Sequence, residues 1–307
     1  MGSDDIGSSR YIYQQVYSAG SNYNFGETPN TFNGIVEGQL GNTDVRWEKE
    51  RKLNFATDFS LLKGKLSGTV EVFDNYRWDI LTLPARTPLL FGQTLPVKNI
   101  GEVSNKGYEI ELSHRGNLGK VAYNLKGMYA VAKNKILNMD EPQPLFPWQQ
   151  RTGKPIGLVS GGLYQFDGFY QDQADIDASA LPAGVTRPGF LKYKDIDGDG
   201  IININDKVVG GLPNLPQTTF GLNLGFSYKG ISLNALFQGA KDYNFRMEAG
   251  AIDAFRANLQ PVHLERWQPG DGNTARYPSL TYTTTTVNSS EAFPSDFWNL
   301  DAYYIRL

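Results

Sequence analysis

The sequence predicts an all-β protein, with antiparallel up-and-down strands forming a segment of a transmembrane β-barrel with long extracellular loops. Three observations predict it. First, three pairs of segments alternate apolar and polar residues with a period of two, which sends the two sets to opposite faces of a sheet. Second, tight turns join the members of each pair, while connections of dozens of residues separate the pairs. Third, 17 Tyr, 17 Phe and 5 Trp suit strands, and 33 Gly with 16 Pro suit many turns and long loops.

Residues 1–46 are polar and glycine-rich with scattered aromatics (Tyr11, Tyr13, Tyr17, Tyr23, Phe25, Phe32), and read as a loop or connector with one short strand at most. Trp47 opens the barrel portion, 47–307. Leu53, Phe55, Thr57, Phe59 and Leu61 alternate with polar or small residues; after Lys63-Gly64 the return strand puts Leu66, Gly68, Val70 and Val72 on one face. This first hairpin covers about 50–73. The stretch 75–106, with Pro84, Pro88 and Pro96, reads as irregular. A second hairpin at about 107–132 has Tyr108, Ile110 and Leu112 on one strand and Val121, Tyr123, Leu125, Tyr129 and Val131 on the other, with a turn at Gly116 to Gly119. Residues 133–218 form a long loop. The third hairpin, about 219–239, is the most regular: Phe220, Leu222, Leu224, Phe226 and Tyr228, then Ile231, Leu233, Ala235 and Phe237. A last long loop, 240–300, contains the Thr281 to Thr286 tract, and Ala302 to Leu307 reads as a further strand.

Short turns on one side and long connections on the other are the rhythm of outer-membrane barrels, whereas structureless loops of this length are unusual inside compact domains. Each hairpin strand approaches the roughly nine to eleven residues that a tilted strand needs to span the hydrocarbon. Mean hydropathy is -0.40, which a strand with one wet and one lipid face permits. Net charge is -3, so no basic field argues for nucleic acid. The absence of cysteine removes disulfides, thiol catalysis and thiolate metal sites. No run approaches the length of a membrane helix, and the polar opening is not a signal peptide. Six full strands do not close a large barrel, so the chain is expected to be a segment of a longer protein.

An acidic loop precedes the third hairpin. Asp195, Asp197 and Asp199 occupy positions one, three and five of a calcium-type loop, Gly200 gives the sharp turn, Ile201 offers a carbonyl at seven, Asn203 stands at nine and Asp206 at twelve. Hard oxygen ligands at this spacing suit calcium; the shorter Asp in place of Glu at twelve weakens it. The other reading is a solvated acidic turn held by Asx hydrogen bonds. Glu109 and Glu111 share a face, as a glycosidase pair or as part of a wet barrel lumen. His114 and His263 are the only histidines and read as surface or lumen residues. No HExxH, G-x-S-x-G or P-loop is present, so no enzyme is expected. Asn288-Ser289-Ser290 matches a glycosylation sequon, which carries little meaning in a bacterium. Phe146, Trp148, Tyr164, Phe166, Phe169 and Tyr170 can stack on sugars, pack under a partner or pack on one another.

Several motifs then stand in a familiar order. Asn42 to Lys49 with Trp47-Glu48 resembles the "N-x-x-L-x-W-E" strand opening of SusC/RagA-type TonB-dependent transporters, with Val45 in place of Leu. Gly101 to Glu109 is similar to their "G-x-x-x-N-K-G-x-E" segment, Tyr193 to Ile202 to their acidic loop, Gly211 to Gly221 to the "P-x-x-x-x-G" stretch before a strand, and Tyr303 to Leu307 to "S-Y-x-R-L". The resemblance implies part of an importer of glycans or peptides in the outer membrane of Bacteroidota. It also implies a SusD-like surface lipoprotein partner and energy from TonB through a plug region that the motifs here do not include. The rival readings are a soluble, calcium-stabilised β-rich surface binding module, and a glycoside hydrolase for which no converging carboxylate pair is nominated.

Overall fold

A computed structural model describes residues 11–25, 30–87, 89–93, 95–256, 258–282 and 287–307. Most of the predicted connector 1–46 is described, but residues 1–10 and 26–29 lie outside the described set, as do Pro88 and residues 283–286 of the threonine tract.

Four short strands open the chain: β1 (Tyr17–Ala19), β2 (Tyr23–Phe25), β3 (Asn30–Phe32) and β4 (Ile35–Glu37). They pair as β1 with β4 and β2 with β3, so this stretch carries more strand than the sequence predicts. The long strands follow: β5 (Lys49–Leu61), β6 (Leu66–Thr82), β7 (Lys98–Leu118) and β8 (Val121–Asn138). The next connection holds β9 (Phe166–Phe169), α1 (Gln173–Asp177), β10 (Leu181–Pro182), β11 (Leu191–Tyr193) and β12 (Ile201–Ile202). Then come β13 (Thr218–Tyr228), β14 (Ile231–Arg246), α2 (Ala249–Ile252) and β15 (Asn299–Arg306).

The seven long strands form one sheet in the order β5, β6, β7, β8, β13, β14, β15, and every neighbouring pair is antiparallel. This is an up-and-down meander, the wall of a barrel. Register unites the hairpins. Thr57, Val70, Ile110, Tyr129, Phe220 and Gly239 form one row across six strands, and Phe59, Gly68, Leu112, Gly127, Leu222 and Phe237 form the next row on the same face. Asp58, Thr69, Glu111, Met128, Gly221 and Gln238 run along the opposite face. Because side chains alternate along each strand, this shared register keeps an apolar band outside and a polar wall inside across these six strands. No helix among the described residues is long and apolar enough to cross a membrane.

The turns behave as chemistry demands. Lys229 (φ 46°) and Gly230 (φ 86°) close the β13–β14 hairpin, the two-residue geometry that matches strand twist. The β7–β8 turn is tighter than expected: β7 continues through Gly116 to Leu118 and only Gly119-Lys120 turns. A larger correction concerns strand length. The stretch 75–106 is not an irregular loop: β6 runs on to Thr82 and β7 starts at Lys98, leaving 83–97 as connection. Likewise β8 extends to Asn138 and β14 to Arg246, so the loops are 139–217 and 247–298. The first long strand begins at Lys49, two residues after Trp47, and β15 begins at Asn299.

Gly107 shows how closely this wall is built. A Cβ there would stand 2.0 Å from the Val131 carbonyl oxygen and 2.5 Å from the Phe73 ring. The ring lies across the glycine, covering backbone that no side chain of its own can cover. Gly107→Ala is therefore expected to destabilise the sheet by about 1–3 kcal/mol. Denaturant unfolding in detergent checks it, and an unchanged midpoint would remove the close approach from the account.

The hydrophobic core lies outside the sheet. Tyr164, Phe169, Tyr170, Leu191, Tyr193, Trp267, Tyr277 and Trp298, with smaller residues, form one buried cluster. They come from the two long loops, 139–217 and 247–298, which share a side of the sheet with the β6–β7 connection. Long-range bonds lock the two together: Phe166 N donates to Asp296 Oδ1 at 2.7 Å, Leu191 N to Asn288 Oδ1 at 2.9 Å, and Tyr193 Oη to the Val287 carbonyl at 2.6 Å.

Candidate functional site

The polar face of the sheet and the loop unit above it meet at a cleft of about 660 Å³. Its floor is the outer half of β6, β7 and β8, where Asn75, Asn105 and Asn134 stand side by side in register. Its far wall is the turn Arg151 to Leu158 together with Val209 and Leu215 to Gln217. The carboxylates on the near wall are engaged. Arg77 lies 3.6 Å from both Glu48 and Glu50, and Tyr76 Oη donates to Glu102 at 2.8 Å.

The Arg151 turn is fixed to β8 and to the start of the loop that follows it. Glu141 accepts from Arg151 N and Thr152 N, each at 2.7 Å, and from Thr152 Oγ1 at 2.6 Å. Desolvation pushes the Glu141 carboxyl up, but the bonds from Thr152 and Arg151 outweigh it and hold it below its ordinary value. Ile136 exchanges backbone bonds with Lys154 and Gly153, and Ile156 N donates to Asn134 Oδ1 at 2.6 Å. None of these cleft residues stands out in the sequence, because they lie scattered over distant stretches with no shared pattern and only the register and the loop bonds bring them together.

The acidic loop sits on the outer surface. Asp195, Asp197 and Asp199 bring ligand oxygens within 4.8 Å of one another. Asp195 accepts from Gly198 N at 2.7 Å and Gly200 N at 2.8 Å, and these bonds, led by Gly200, hold its carboxyl below the ordinary range. Desolvation, joined by the nearby Asp199 and Asp206 carboxylates, pushes Asp197 up. The other expected ligands are placed differently. Asp206 is fully buried and gives its two oxygens to Ile196 N (2.7 Å) and Asn203 N (2.8 Å). The Asn203 side-chain oxygen accepts from Asn205 N, and its amide donates to the Ile201 carbonyl at 3.2 Å. The twelfth position thus caps the turn from inside, and the trio of aspartates forms the cluster.

The remaining candidates resolve in structural terms. Tyr164, Phe169 and Tyr170 are core residues, Phe166 packs against them, and Phe146 stacks on Trp148 at 4.5 Å; the loop aromatics pack on one another. Glu109 and Glu111 lie on the wet face, with Lys126 Nζ 2.8 Å from Glu111. The histidine reading needs correction. His263 is buried, its Nδ1 accepting from Gln260 N at 2.8 Å and its Nε2 lying 2.9 Å from the Ile252 carbonyl. His114 faces the outer, apolar side, stacked on Tyr123. The Asn288 sequon is buried and braces the loops, donating to the Ser279 carbonyl at 3.0 Å.

A family model described as "TonB dependent receptor-like, beta-barrel" matches residues 10–306. The chain belongs to this family. Among its relatives are TonB-dependent receptor P26 of Formosa agariphila, 29% identical over 292 residues, and TonB-dependent receptor P3 of the same organism, 27% identical over 258 residues. These matches cover 83% and 79% of this chain but only 28% and 25% of the relatives, so the chain spans about a quarter of their length. Among solved structures, that of the RagAB peptide transporter superposes with a TM-score of 0.67 at 18% identity, covering all of this chain and 32% of that one. The RagAB likeness shows the shared fold. The resemblance drawn from the ordered motifs therefore holds, and the TonB-dependent receptor barrel places this sheet in the outer membrane with its apolar face toward lipid.

In this receptor barrel the loop unit faces the external medium, so external pH reaches it. Lys192 Nζ lies 2.7 Å from Asp175 Oδ1, and Gln171 N donates to Oδ2 at 3.0 Å. The lysine first, and the amide, hold the Asp175 carboxyl below its ordinary value. A folded value lower than the unfolded one means the stabilisation is complete above the unfolded value of about 4 and is lost as pH falls through the folded value. The protection of the Gln171 amide, its exchange measured relative to the intrinsic rate at each pH, is expected to fall below about pH 4, and Asp175→Asn should flatten that dependence; an unchanged profile of protection against pH in the variant would contradict it.

Proposed function

We propose that this chain forms part of the wall and outer mouth of an outer-membrane importer of glycans or peptides. It acts without catalysis of its own, takes energy through TonB and works beneath a SusD-like surface lipoprotein. The observation that carries this reading is the register that keeps one face apolar and the other polar across six neighbouring strands. A soluble module would leave Phe55, Ile231 and Leu233 facing water at 76%, 75% and 65% exposure, a hydrophobic patch that soluble proteins avoid. The folded loop unit supports the mouth role: it is rigid enough to hold a cleft open and exposed enough to meet a lid.

The test is uptake of labelled oligosaccharides and peptides by cells producing the full-length transporter. Uptake that stops when the proton-motive force is collapsed is the expected result. Uptake indifferent to that collapse contradicts the reading.

The proposal extends to calcium at Asp195, Asp197 and Asp199, where three hard oxygen donors converge and like charge is poorly compensated. A bound ion would stiffen the loop beside Trp148, whose indole donates to the Asn205 carbonyl at 2.8 Å. Calorimetric titration should give weak binding, with a Kd on the order of 0.1–1 mM, that Asp197→Asn abolishes. No heat at millimolar calcium would refute it.

A further inference from the structure

We propose that the cleft at the outer mouth is a subsite for a carboxylate-bearing substrate, held by Arg151 and Lys154. This rests on the importer reading and narrows its substrate class.

Two basic side chains on the far wall stand outside any ion pair among the described residues, and this is the first argument. Three carboxylates line it, and each is engaged: Glu48 and Glu50 by Arg77, Glu102 by Tyr76. Among the described residues, neither Arg151 nor Lys154 has a carboxylate within ion-pair distance of its side-chain nitrogens. Glu141, the nearest acid to that turn, is occupied by the backbone of Arg151 and by Thr152. Arg151 is close enough to help lower the Glu141 carboxyl, but the far wall still presents two cations outside any ion pair among the described residues, across from a near wall whose three carboxylates share one arginine.

Preorganisation is the second. The turn that presents these cations is bonded to β8 through Ile136 and Asn134 and to the start of the following loop through Glu141, so little backbone ordering cost falls on binding. Arginine offers a planar fork that meets a carboxylate with two parallel hydrogen bonds. Lysine adds a mobile point charge three residues along.

The third is what the rest of the lining offers. The side-chain amides of Asn75 and Asn105 point into the same space and have no hydrogen-bond partner among the described residues, so they can meet hydroxyls or peptide groups. Ile136, Val209 and Leu215 supply apolar contact. No aromatic ring lines the cleft, because the loop aromatics are spent on the buried cluster. A neutral sugar thus finds no stacking platform here, whereas an acidic ligand finds both charge and hydrogen bonds. The carboxylate can belong to a peptide C-terminus or to a uronic sugar; both fit a volume of about 660 Å³ as short oligomers.

The test uses the full-length transporter in detergent. Binding is measured for short peptides with free or amidated C-termini, and for matched oligosaccharides with or without uronic residues. The double variant Arg151→Gln, Lys154→Gln is compared with Arg151→Lys, Lys154→Arg. One of the two series should show the carboxylate form bound preferentially, and that series names the source. The glutamine variant should bind it roughly 10- to 100-fold more weakly, and the charge-preserving variant should stay within a few-fold of the parent. The amidated or neutral partner should not distinguish the variants. No preference for the carboxylate form in either series, no binding of any carboxylate probe, or equal affinity in the glutamine variant would overturn the subsite. Such a result would leave energised uptake intact, so failure of the subsite and failure of the importer reading are separately visible.

Discussion

Replacing Leu222 by arginine will cost the folded barrel about 2–4 kcal/mol, while replacing its neighbour Asn223 will cost about 1 kcal/mol or less. The two residues are adjacent on β13 and pair in register with Gly127 and Lys126 of β8. They differ in which side of the sheet they face. Leu222 belongs to the row running through Phe59, Leu112 and Phe237, so an arginine there must take its charge into hydrocarbon or distort the strand to reach water. Asn223 faces the wet wall, where Lys126 already stands. Unfolding titrations in liposomes read both. Equal costs, or a larger cost at Asn223, would mean that the apolar face is not the lipid face.

Trp298→Ala carries the second large effect, expected in the loops and not in the sheet. Trp298 is 1% exposed and packs edge-on against Phe297 at 4.7 Å and Tyr277 at 5.6 Å. Its carbonyl accepts from Met247 N at 2.8 Å, so it closes the 247–298 loop, tying its first residue after β14 to its last before β15. Truncation removes an aromatic from a packed cluster and leaves a cavity, a loss of about 3–5 kcal/mol. Hydrogen exchange should show the amides of Leu191 and Tyr193 opening together, while those of β6 to β8 keep their protection. Trp298→Phe should lose less. Protection lost uniformly over sheet and loops would show that the two are one cooperative unit.

The hairpins were legible in the sequence because a membrane imposes a strict rule. Phe220 to Tyr228 alternates since one face must satisfy lipid and the other water. The same rule explains what was hidden. Asn75 to Thr82 and Lys98 to Lys106 project past the apolar band, where both faces meet polar surroundings, so alternation fades although the hydrogen-bond ladder continues. The short opening strands β1 and β4 are exposed along their whole length and left no pattern. The loop core was invisible for another reason. Its contacts join residues far apart in the chain, such as Phe166 with Asp296 and Leu191 with Asn288, and no local periodicity records them. His263 shows the limit well: its burial follows from Gln260 and Tyr277 closing around it. Of the acidic loop, the spacing announced the trio of aspartates, but the inward turn of Asp206 depends on Ile196 and Asn203 backbone groups that spacing does not reveal.

The central claim, that this sheet is a lipid-facing barrel wall, is tested most directly by single cysteines placed along β13. This chain has no cysteine of its own, so, once any cysteine elsewhere in the full-length protein is replaced, each introduced thiol reports alone. In the full-length protein in vesicles, thiols at Phe220, Leu222, Leu224 and Phe226 should meet lipid-dissolved quenchers and resist water-soluble reagents. Those at Thr219, Gly221, Asn223 and Gly225 should show the reverse, giving a period of two. A β13 whose thiols are all reached from water, or whose accessibility lacks that alternation, would contradict the account.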